Sequence, residues 1–540
     1  MKILFLIPPY FSVDDLTNPK NNSVMPAFTI PYGILSMEAF LKKNYKKKLN
    51  VKILDLNITL EKFLKTGKKN YLDFFENEIA INLKDFQADI VGLSALFNTS
   101  NVYLKDLSDF IKEKLPLSLI IAGGGLPSAA YETILKSCPS IDAVCKGEGE
   151  IPLLDLLNSD DKNALIFSHK SWISRDSLRE KKFIGHTFVE NLNDIPMLNY
   201  DLAEITDNFE HYNNRSIDKT YSNEKRQEMA IHTSRGCPFL CVFCSNPSLH
   251  GRKVRYMTID RVVNEVKRMR DEYGMTVLLL EDDHFFNDKN RAKEILRRLA
   301  TLKIRIEFPN GLAVYAIDDE MAYLLSQAGV SAVALAVESG SDYVLNKIIK
   351  KPLKKHLIKP AVENLRKYGV KSHVFIVCGL PGEKDEHREE TAKMLINTGF
   401  DWVHIFMAIP IYGSRLYDIC VENGYIENTN SNHFVATKSV IRTKDIDPDK
   451  LATFSYNTQL EVNFVKNHNM KIGNYKIALE YFENVIRKYP MHAFALFFSA
   501  ECYRKINNLS KYRDYIKRFK NIVSENKYWM EMSESYKIMN

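Results

Sequence analysis

Over residues 1–150, short apolar runs alternate with stretches in which apolar positions recur at helical spacing. The runs Lys2–Ile7, Val51–Leu56, Ile90–Ser94, Ser118–Ala122 and Ala143–Cys145 predict strands, and Ile34–Lys43, Leu104–Lys114 and Tyr131–Lys136 predict helices. Strands alternating with helices imply a parallel, doubly wound α/β sheet. Such a sheet takes its ligand outside the carboxyl ends of its strands. Here those ends are Pro8-Pro9-Tyr10, Ser94–Asn98, Gly123-Gly124-Gly125 and Gly147-Glu148-Gly149-Glu150. Residues 151–227 are weakly patterned and rich in charge, and predict a connector that is extended at Asp194-Ile195-Pro196. Over residues 228–430, six strand-like runs end at Thr233, Leu280, Phe308, Val337, Val377 and Ile409. Helical stretches at Ile259–Glu272, Lys289–Thr301, Asp318–Gln327, Leu357–Tyr368 and Glu386–Asn397 separate them. That order predicts a parallel sheet curled into a partial barrel, because a closed one needs eight strand–helix units.

Residues 431–540 form the last segment, and from Leu451 onward it is helical with no strand signal. Ile472, Asn474, Glu480 and Tyr481 recur as Ile506, Asn508, Asp514 and Tyr515, and Phe464 recurs as Phe498, each 34 residues on. That is the period of tetratricopeptide helical hairpins, and Gly473-Asn474-Tyr475 with Ala478 and Pro490 resembles their motif. At most two hairpins fit, fewer than such repeats need to stand alone. The segment is therefore expected to pack on the rest of the chain or on a protein partner.

Composition narrows the field. An apolar fraction of 45% over 540 residues is enough to bury real cores in several domains. The net charge of +7 is spread through interleaved basic and acidic residues, without the basic stripe that nucleic acid requires. No apolar run approaches the ~20 residues of a membrane span. Met1–Ile7 runs into Pro8-Pro9, too short for a signal sequence. Of eight cysteines, three crowd into eight positions and five are scattered. That distribution points to a reducing cytoplasm and a metal or redox site.

The crowded cysteines are Cys237, Cys241 and Cys244, in Gly236-Cys237-Pro238-Phe239-Leu240-Cys241-Val242-Phe243-Cys244. Three thiolates on one loop can bind three irons of a cubane cluster and leave the fourth iron open. The loop follows the apolar run Met229–His232, so it stands at the carboxyl end of the first barrel strand, the face where barrel chemistry is done. A zinc site closed by His250 is the alternative on ligand type. This C-x₃-C-x₂-C loop, with aromatic Phe243 before the last cysteine, resembles the motif of the radical S-adenosylmethionine (SAM) superfamily. The resemblance implies that the open iron chelates the amino and carboxylate groups of SAM. One electron then cleaves the sulfonium to a 5′-deoxyadenosyl radical. It implies SAM contacts from Phe243, from Asp282 and Asp283 after the second strand, from Glu338 and Ser339 after the fourth, and from Gly379 and Pro381 after the fifth. Pro410–Ser414 departs from the family's Pro-Gly-Thr turn and carries no implied contact. His284 is a candidate for reaching substrate or carrying a proton, beside the structural role usual for a strand-end histidine.

Residues 1–150 in turn resemble the Rossmann-like cobalamin (B12)-binding domain fused to many radical SAM enzymes. The matching pieces are Ile7-Pro8-Pro9-Tyr10, Pro31-Tyr32-Gly33-Ile34, Ala88–Ser94, Gly123–Gly125 and Lys146–Glu150. The implied cobalamin contacts are Pro9, Tyr10, Ser94, Phe97, Asn98, Gly123, Gly124, Gly125, Gly147 and Glu148. The segment lacks the Asp-x-His-x-x-Gly loop of well-known cobalamin domains and contains no histidine. Cobalamin is therefore expected without a His ligand from this domain, its lower face covered by Ala95–Thr99 with Phe97. The resemblances together imply four parts: a B12-type domain (1–150), a connector (151–227), a partial (β/α)₆ TIM-like radical SAM barrel (228–430) and all-α tetratricopeptide-like helices (431–540).

Three functions follow. The first is a cobalamin-dependent radical SAM methyltransferase acting on an unactivated carbon. The second uses the same cofactors for a rearrangement, cyclisation or oxidation without methyl transfer. The third, of a different class, is a scaffold or sensor with a structural cluster and partner-binding helices. A methylthiotransferase is disfavoured, because residues 1–150 hold only Cys138 and Cys145 where that family has three further cluster cysteines. Expected partners are a small-molecule or carrier-bound substrate and an electron-donating reductase, flavodoxin or ferredoxin.

Overall fold

Lys2–Ile7 reads KILFLI, and every residue after the first is buried, as expected of a strand covered on both faces. This is β1. In the computed structural model, which describes residues 1–11, 13, 29–66, 70–209, 226–427 and 438–538, it leads the first of two units. β1 pairs in parallel with β2 (Asn50–Asp55) and β3 (Ile90–Ser94). β4 (Leu119–Gly123) and β5 (Ala143–Cys145) continue the parallel sheet, and β6 (Trp172–Ile173) closes it antiparallel on β5. The order β2-β1-β3-β4-β5-β6 puts the topological switch between β1 and β3. One face buries Leu4, Leu6, Val91, Leu93, Ile120 and Ala122, and the other buries Ile3, Phe5, Ile7, Ile90 and Ile121.

The alternation read from the sequence is present, with two additions. The β2–β3 crossover contains helices Leu56–Thr66 and Tyr71–Asp85, where the sequence pattern predicts no element. Only Phe75, Ile79 and Leu83 of the second are buried, so its apolar stripe is thin. The sequence pattern ends the sheet at Ala143–Cys145, whereas β6 adds one more strand. Two residues are too few to show a period.

The same unit holds β7 (Glu228–Ile231), β10 (Val277–Leu280) and β11 (Arg305–Glu307), a parallel sheet in the order β11-β10-β7. Between β7 and β10 stands a small antiparallel hairpin of β8 (Ser234–Arg235) and β9 (Arg255–Tyr256). Helix Ile259–Tyr273 starts on Thr258, whose hydroxyl accepts the Arg261 N–H, and stops at Gly274 in the left-handed region. It buries Val262, Val263, Val266 and Met269 at helical spacing.

The second unit contains β12 (Ala332–Glu338), β13 (Lys371–Cys378) and β14 (Trp402–Met407), all parallel. Helices Asp319–Gln327, Ile358–Lys367 and Asp385–Thr398 fall where the periodicity places them. Residues 448–535 are helical, with helices Tyr475–Lys488 and Leu509–Glu525 each starting just after an asparagine of the 34-residue repeat. This helical part packs on the amino ends of β13 and β14. Tyr481 stacks on Trp402 at 5.1 Å, its hydroxyl lies 2.8 Å from His373 Nε2, and Asn463 bonds both backbone groups of Val403. The expectation that these helices pack on the rest of the chain or on a partner is met there by packing on the chain. No helix among the described residues is long and apolar enough to cross a membrane.

Candidate active site

The cysteine loop leaves the carboxyl end of β7 through the β8–β9 hairpin. Gly236 precedes Cys237 at φ +97°, and a Cβ there would stand 2.5 Å from the Lys253 carbonyl oxygen. Only glycine fits. The Cys237 N–H donates to the Gly251 carbonyl at 3.3 Å and the Cys244 N–H to the Cys241 carbonyl at 3.0 Å. Cys237, Cys241 and Cys244 are partly buried, and none of the chain's eight cysteines is in a disulfide. Burial pushes the Cys244 thiol up to about 12.

Two carboxylates at the end of β10 hold this loop. Asp283 brackets it: Oδ2 accepts the Gly236 N–H at 3.0 Å, ahead of the cysteines, and Oδ1 accepts the Asn246 amide at 2.6 Å, behind them. Asp282 is buried and accepts from the Thr233 N–H at 2.5 Å and from the Thr233 and Ser234 hydroxyls at 2.6 Å each. Arg291 completes the tie, donating to the carbonyls of Thr233 and Met257 at 2.9 Å each. Phe243 is partly buried in the loop. His284 is buried with its ring 4.8 Å from that of Phe239.

A second group meets the hairpin from the first sheet. Glu148 is 5% exposed, and on it converge Arg235 at 3.1 Å, Arg255 at 2.9 and 2.5 Å, and His250 at 3.0 Å. Burial pushes its carboxyl up, but Arg235, then Arg255 and His250, outweigh that and hold it far below the usual carboxylate range. Gly147 turns at φ +82°, where a Cβ would meet His186 at 2.8 Å and the Leu249 carbonyl at 3.1 Å. Nearby, His232 lies 3.6 Å from Glu281 with its ring 4.8 Å from Tyr32. Arg235, Arg255, Arg291 and the His232–Glu281 pair were not singled out from sequence. Isolated charged residues carry no period, and only their partners identify them.

At the β1/β3 switch point the strand-end loops are laced together. The Ser100 hydroxyl donates to the Pro9 carbonyl at 2.9 Å, Thr99 donates to the Tyr10 carbonyl, and the Tyr10 N–H donates to Asn57 at 2.8 Å. The Phe97 ring stands edge-on to Tyr10 at 5.1 Å, yet it is 43% exposed and Leu96 40%. Ser94 ends β3, and Asn98 opens a short turn of 3₁₀ helix. Exposed apolar side chains over a laced backbone form a surface that a flat macrocycle could cover. Gly124 and Gly125 are explained by chain packing: a Cβ would meet the carbonyl oxygens of Ala95 at 2.6 Å and Leu96 at 2.7 Å. Gly123 ends β4 with room for a Cβ, whose nearest neighbour would be the Cys145 Cβ at 3.9 Å.

In the second unit, Glu338 ends β12 at φ +70°, a costly conformation for a residue with a side chain, and pairs with Lys351 at 2.8 Å. The Ser339 hydroxyl lies 3.2 Å from that of Thr391, which also accepts the Gly340 N–H at 2.9 Å. Gly379 turns at φ +86° after β13, its N–H held by Glu383. Pro381, two residues on, is partly exposed.

The donor set tests which group could bind. Three thiols on one short loop, with no disulfide among them, suit an iron–sulfur cluster with one open iron. His250, the candidate fourth zinc ligand, is engaged by Glu148. Among the described residues no three His, Cys, Asp or Glu side chains converge as the cage of a single metal ion.

The radical SAM superfamily model matches residues 231–395, and the B12 binding domain model matches residues 22–157. Cytidylyl-2-hydroxyethylphosphonate methyltransferase of Streptomyces wedmorensis is 29% identical over 77% of this chain and 82% of its own. An uncharacterized methyltransferase of Pyrococcus horikoshii is 26% identical over 84% of this chain and 90% of its own. Among solved structures, the radical SAM methyltransferase TsrM of Kitasatospora setae, with cobalamin and a [4Fe–4S] cluster bound, matches with a TM-score of 0.55. Its identity is 16%, over 79% of this chain and 76% of that one.

Proposed function

The chain belongs to the cobalamin-dependent radical SAM enzymes, with [4Fe–4S], SAM and cobalamin as cofactors, and on that premise we propose that it methylates an unactivated carbon of a small or carrier-bound molecule. The observation that carries this is one unit containing both a three-thiol loop at a strand's carboxyl end and a switch-point crevice with exposed Leu96 and Phe97. Bound there, the cofactors would supply the electron that cleaves SAM, the radical and a carrier for the methyl group. The chain's own part is to hold them. Cys237, Cys241 and Cys244 ligate the cluster, while Asp282 and Asp283 fix the loop. Both methyltransferase relatives favour methyl transfer over a rearrangement.

The finer assignments belong to the same proposal. SAM is assigned to Phe243, Asp282, Asp283, Glu338, Ser339, Gly379 and Pro381. Cobalamin is assigned to the loops of Pro9–Tyr10, Ser94–Asn98, Gly123–Gly125 and Gly147–Glu148, without a histidine ligand from residues 1–150. The division at residues 150, 227 and 430, the six-strand partial barrel and a tetratricopeptide-like tail complete it, with a small electron-transfer protein as reductant. The 34-residue spacing of Asn474 and Asn508, each just ahead of a helix, supports the repeat.

The test is anaerobic reconstitution with iron, sulfide, hydroxocobalamin, reductant and SAM labelled in its methyl group. The native chain is expected to release 5′-deoxyadenosine and, with its substrate, a product heavier by the labelled methyl. Replacing Cys237, Cys241 and Cys244 by alanine should abolish both. Release of 5′-deoxyadenosine by that variant at the native rate would refute the assignment, and an unlabelled product would move it to radical chemistry without methyl transfer.

A further inference from the structure

Glu148 sits in the turn after β5, 87 residues before Arg235 and 107 before Arg255. Those two arginines face each other across the β8–β9 pair. Arg235 is two residues ahead of Cys237, with Gly236 between them. The network does not end at one carboxylate. Arg235 also reaches Glu150 at 2.9 Å and donates to the Ser36 hydroxyl at 2.8 Å, and that hydroxyl donates to Glu150 at 2.6 Å. Arg255 donates to the Val189 carbonyl at 2.9 Å, and its guanidinium lies 4.4 Å from the Phe188 ring centre. Glu148, Glu150, Arg235 and Arg255 are each no more than 5% exposed. Two carboxylates thus balance two guanidiniums away from water.

A buried set of this kind adds little net stability, because desolvation offsets attraction. What it does supply is direction. A guanidinium bonded to a carboxylate through two nitrogens fixes both orientation and distance. Both strands that carry the cysteine loop are therefore registered against a turn of the first sheet, not only against their own sheet.

We infer that Glu148 is a positioning residue for the iron–sulfur cluster, locking the cysteine hairpin through Arg235 and Arg255. The Gly147–Glu150 turn then serves the cluster loop from the B12-type domain, which adds a role to the cofactor contact assigned by resemblance. The turn is continuous with β5 of the sheet whose crevice is assigned to cobalamin, so the B12-type domain must be folded for the cluster loop to hold its shape. Removing the carboxylate leaves two buried guanidiniums against the single carboxylate of Glu150, and the uncompensated repulsion opens the hairpin just ahead of Cys237.

The inference rests on the cluster reading above, and the experiment separates the two. Native chain, Glu148→Gln and Glu148→Asp are reconstituted anaerobically at limiting iron. Iron and sulfide are counted per chain. Electron paramagnetic resonance of the reduced protein is recorded with and without SAM, and far-ultraviolet circular dichroism reports folding. Glu148→Gln is expected to keep the native dichroism, to hold at least about twofold less iron, and to lose the native line shape and its response to SAM. Glu148→Asp, which keeps the charge, should recover part of the iron. Should Glu148→Gln fail to fold, the double variant Glu148→Gln with Arg255→Gln keeps charges balanced and is expected to fold while staying iron-poor. Native iron content and line shape in a folded variant lacking the carboxylate would overturn the inference alone. Failure of the native chain to take up any cluster would remove the cluster reading beneath it.

Discussion

Asp282 and Asp283 are adjacent, yet each does a separate mechanical task. Asp283 joins the two ends of the cysteine loop, and Asp282 fixes the strand from which the loop departs. Asp283→Ala removes both ends of one brace, each a charge-assisted bond of about 1.5–3 kcal/mol. The expected result is roughly tenfold weaker iron retention, measured by chelator competition. Retention equal to native would show that the brace is dispensable. Glu383 gives a pH-dependent counterpart. Burial pushes its carboxyl up to about 7, against the pull of the Gly379 N–H and Arg388, from an ordinary 4.5. Between those values the folded chain holds more protons than the unfolded one, so this contribution to stability is lost as pH rises through about 7. The loss is at most about 3 kcal/mol. Glu383→Gln cannot ionise and still offers an oxygen to Gly379. Its melting temperature should therefore fall less than that of the native chain between about pH 5 and 8. Equal falls would place the titration elsewhere.

Among the elements, the helices of residues 448–535 are the ones whose own core can be tested. Phe482 is fully buried, 5.2 Å from Phe464 and 6.2 Å from Phe498 by ring centres. Phe482→Ala should cost about 3–5 kcal/mol. Calorimetry would show the loss, and an unshifted transition would mean that this cluster is not part of the cooperative core. The helices were legible because Asn474 and Asn508 repeat at a fixed interval and apolar residues follow at helical spacing. The thin crossover helix Tyr71–Asp85 was not, and neither was β6. In those, tertiary contacts rather than local pattern select the structure.

On the scale of the whole chain, both classes of domain follow from runs of sequence that are each short. Parallel strands buried on both faces announce themselves as continuous apolar runs, and glycines mark their ends. The three cysteines lie within eight residues, so the motif is legible in the sequence, and the family it resembles implies the chemistry. Glu148 could be placed only at a strand end, where a cofactor contact was the natural expectation. The fold shows its carboxylate bonded to Arg235, Arg255 and His250.

By itself the sequence determined the alternating strands and helices, the thiol set and the families they indicate, because each depends on residues near one another in the chain. The tertiary structure decided which charges hold the cysteine loop, and that glycines such as Gly124 and Gly147 make way for neighbouring chain. Pairing between groups a hundred positions apart follows from where folding brings them, and a linear pattern carries no record of that distance.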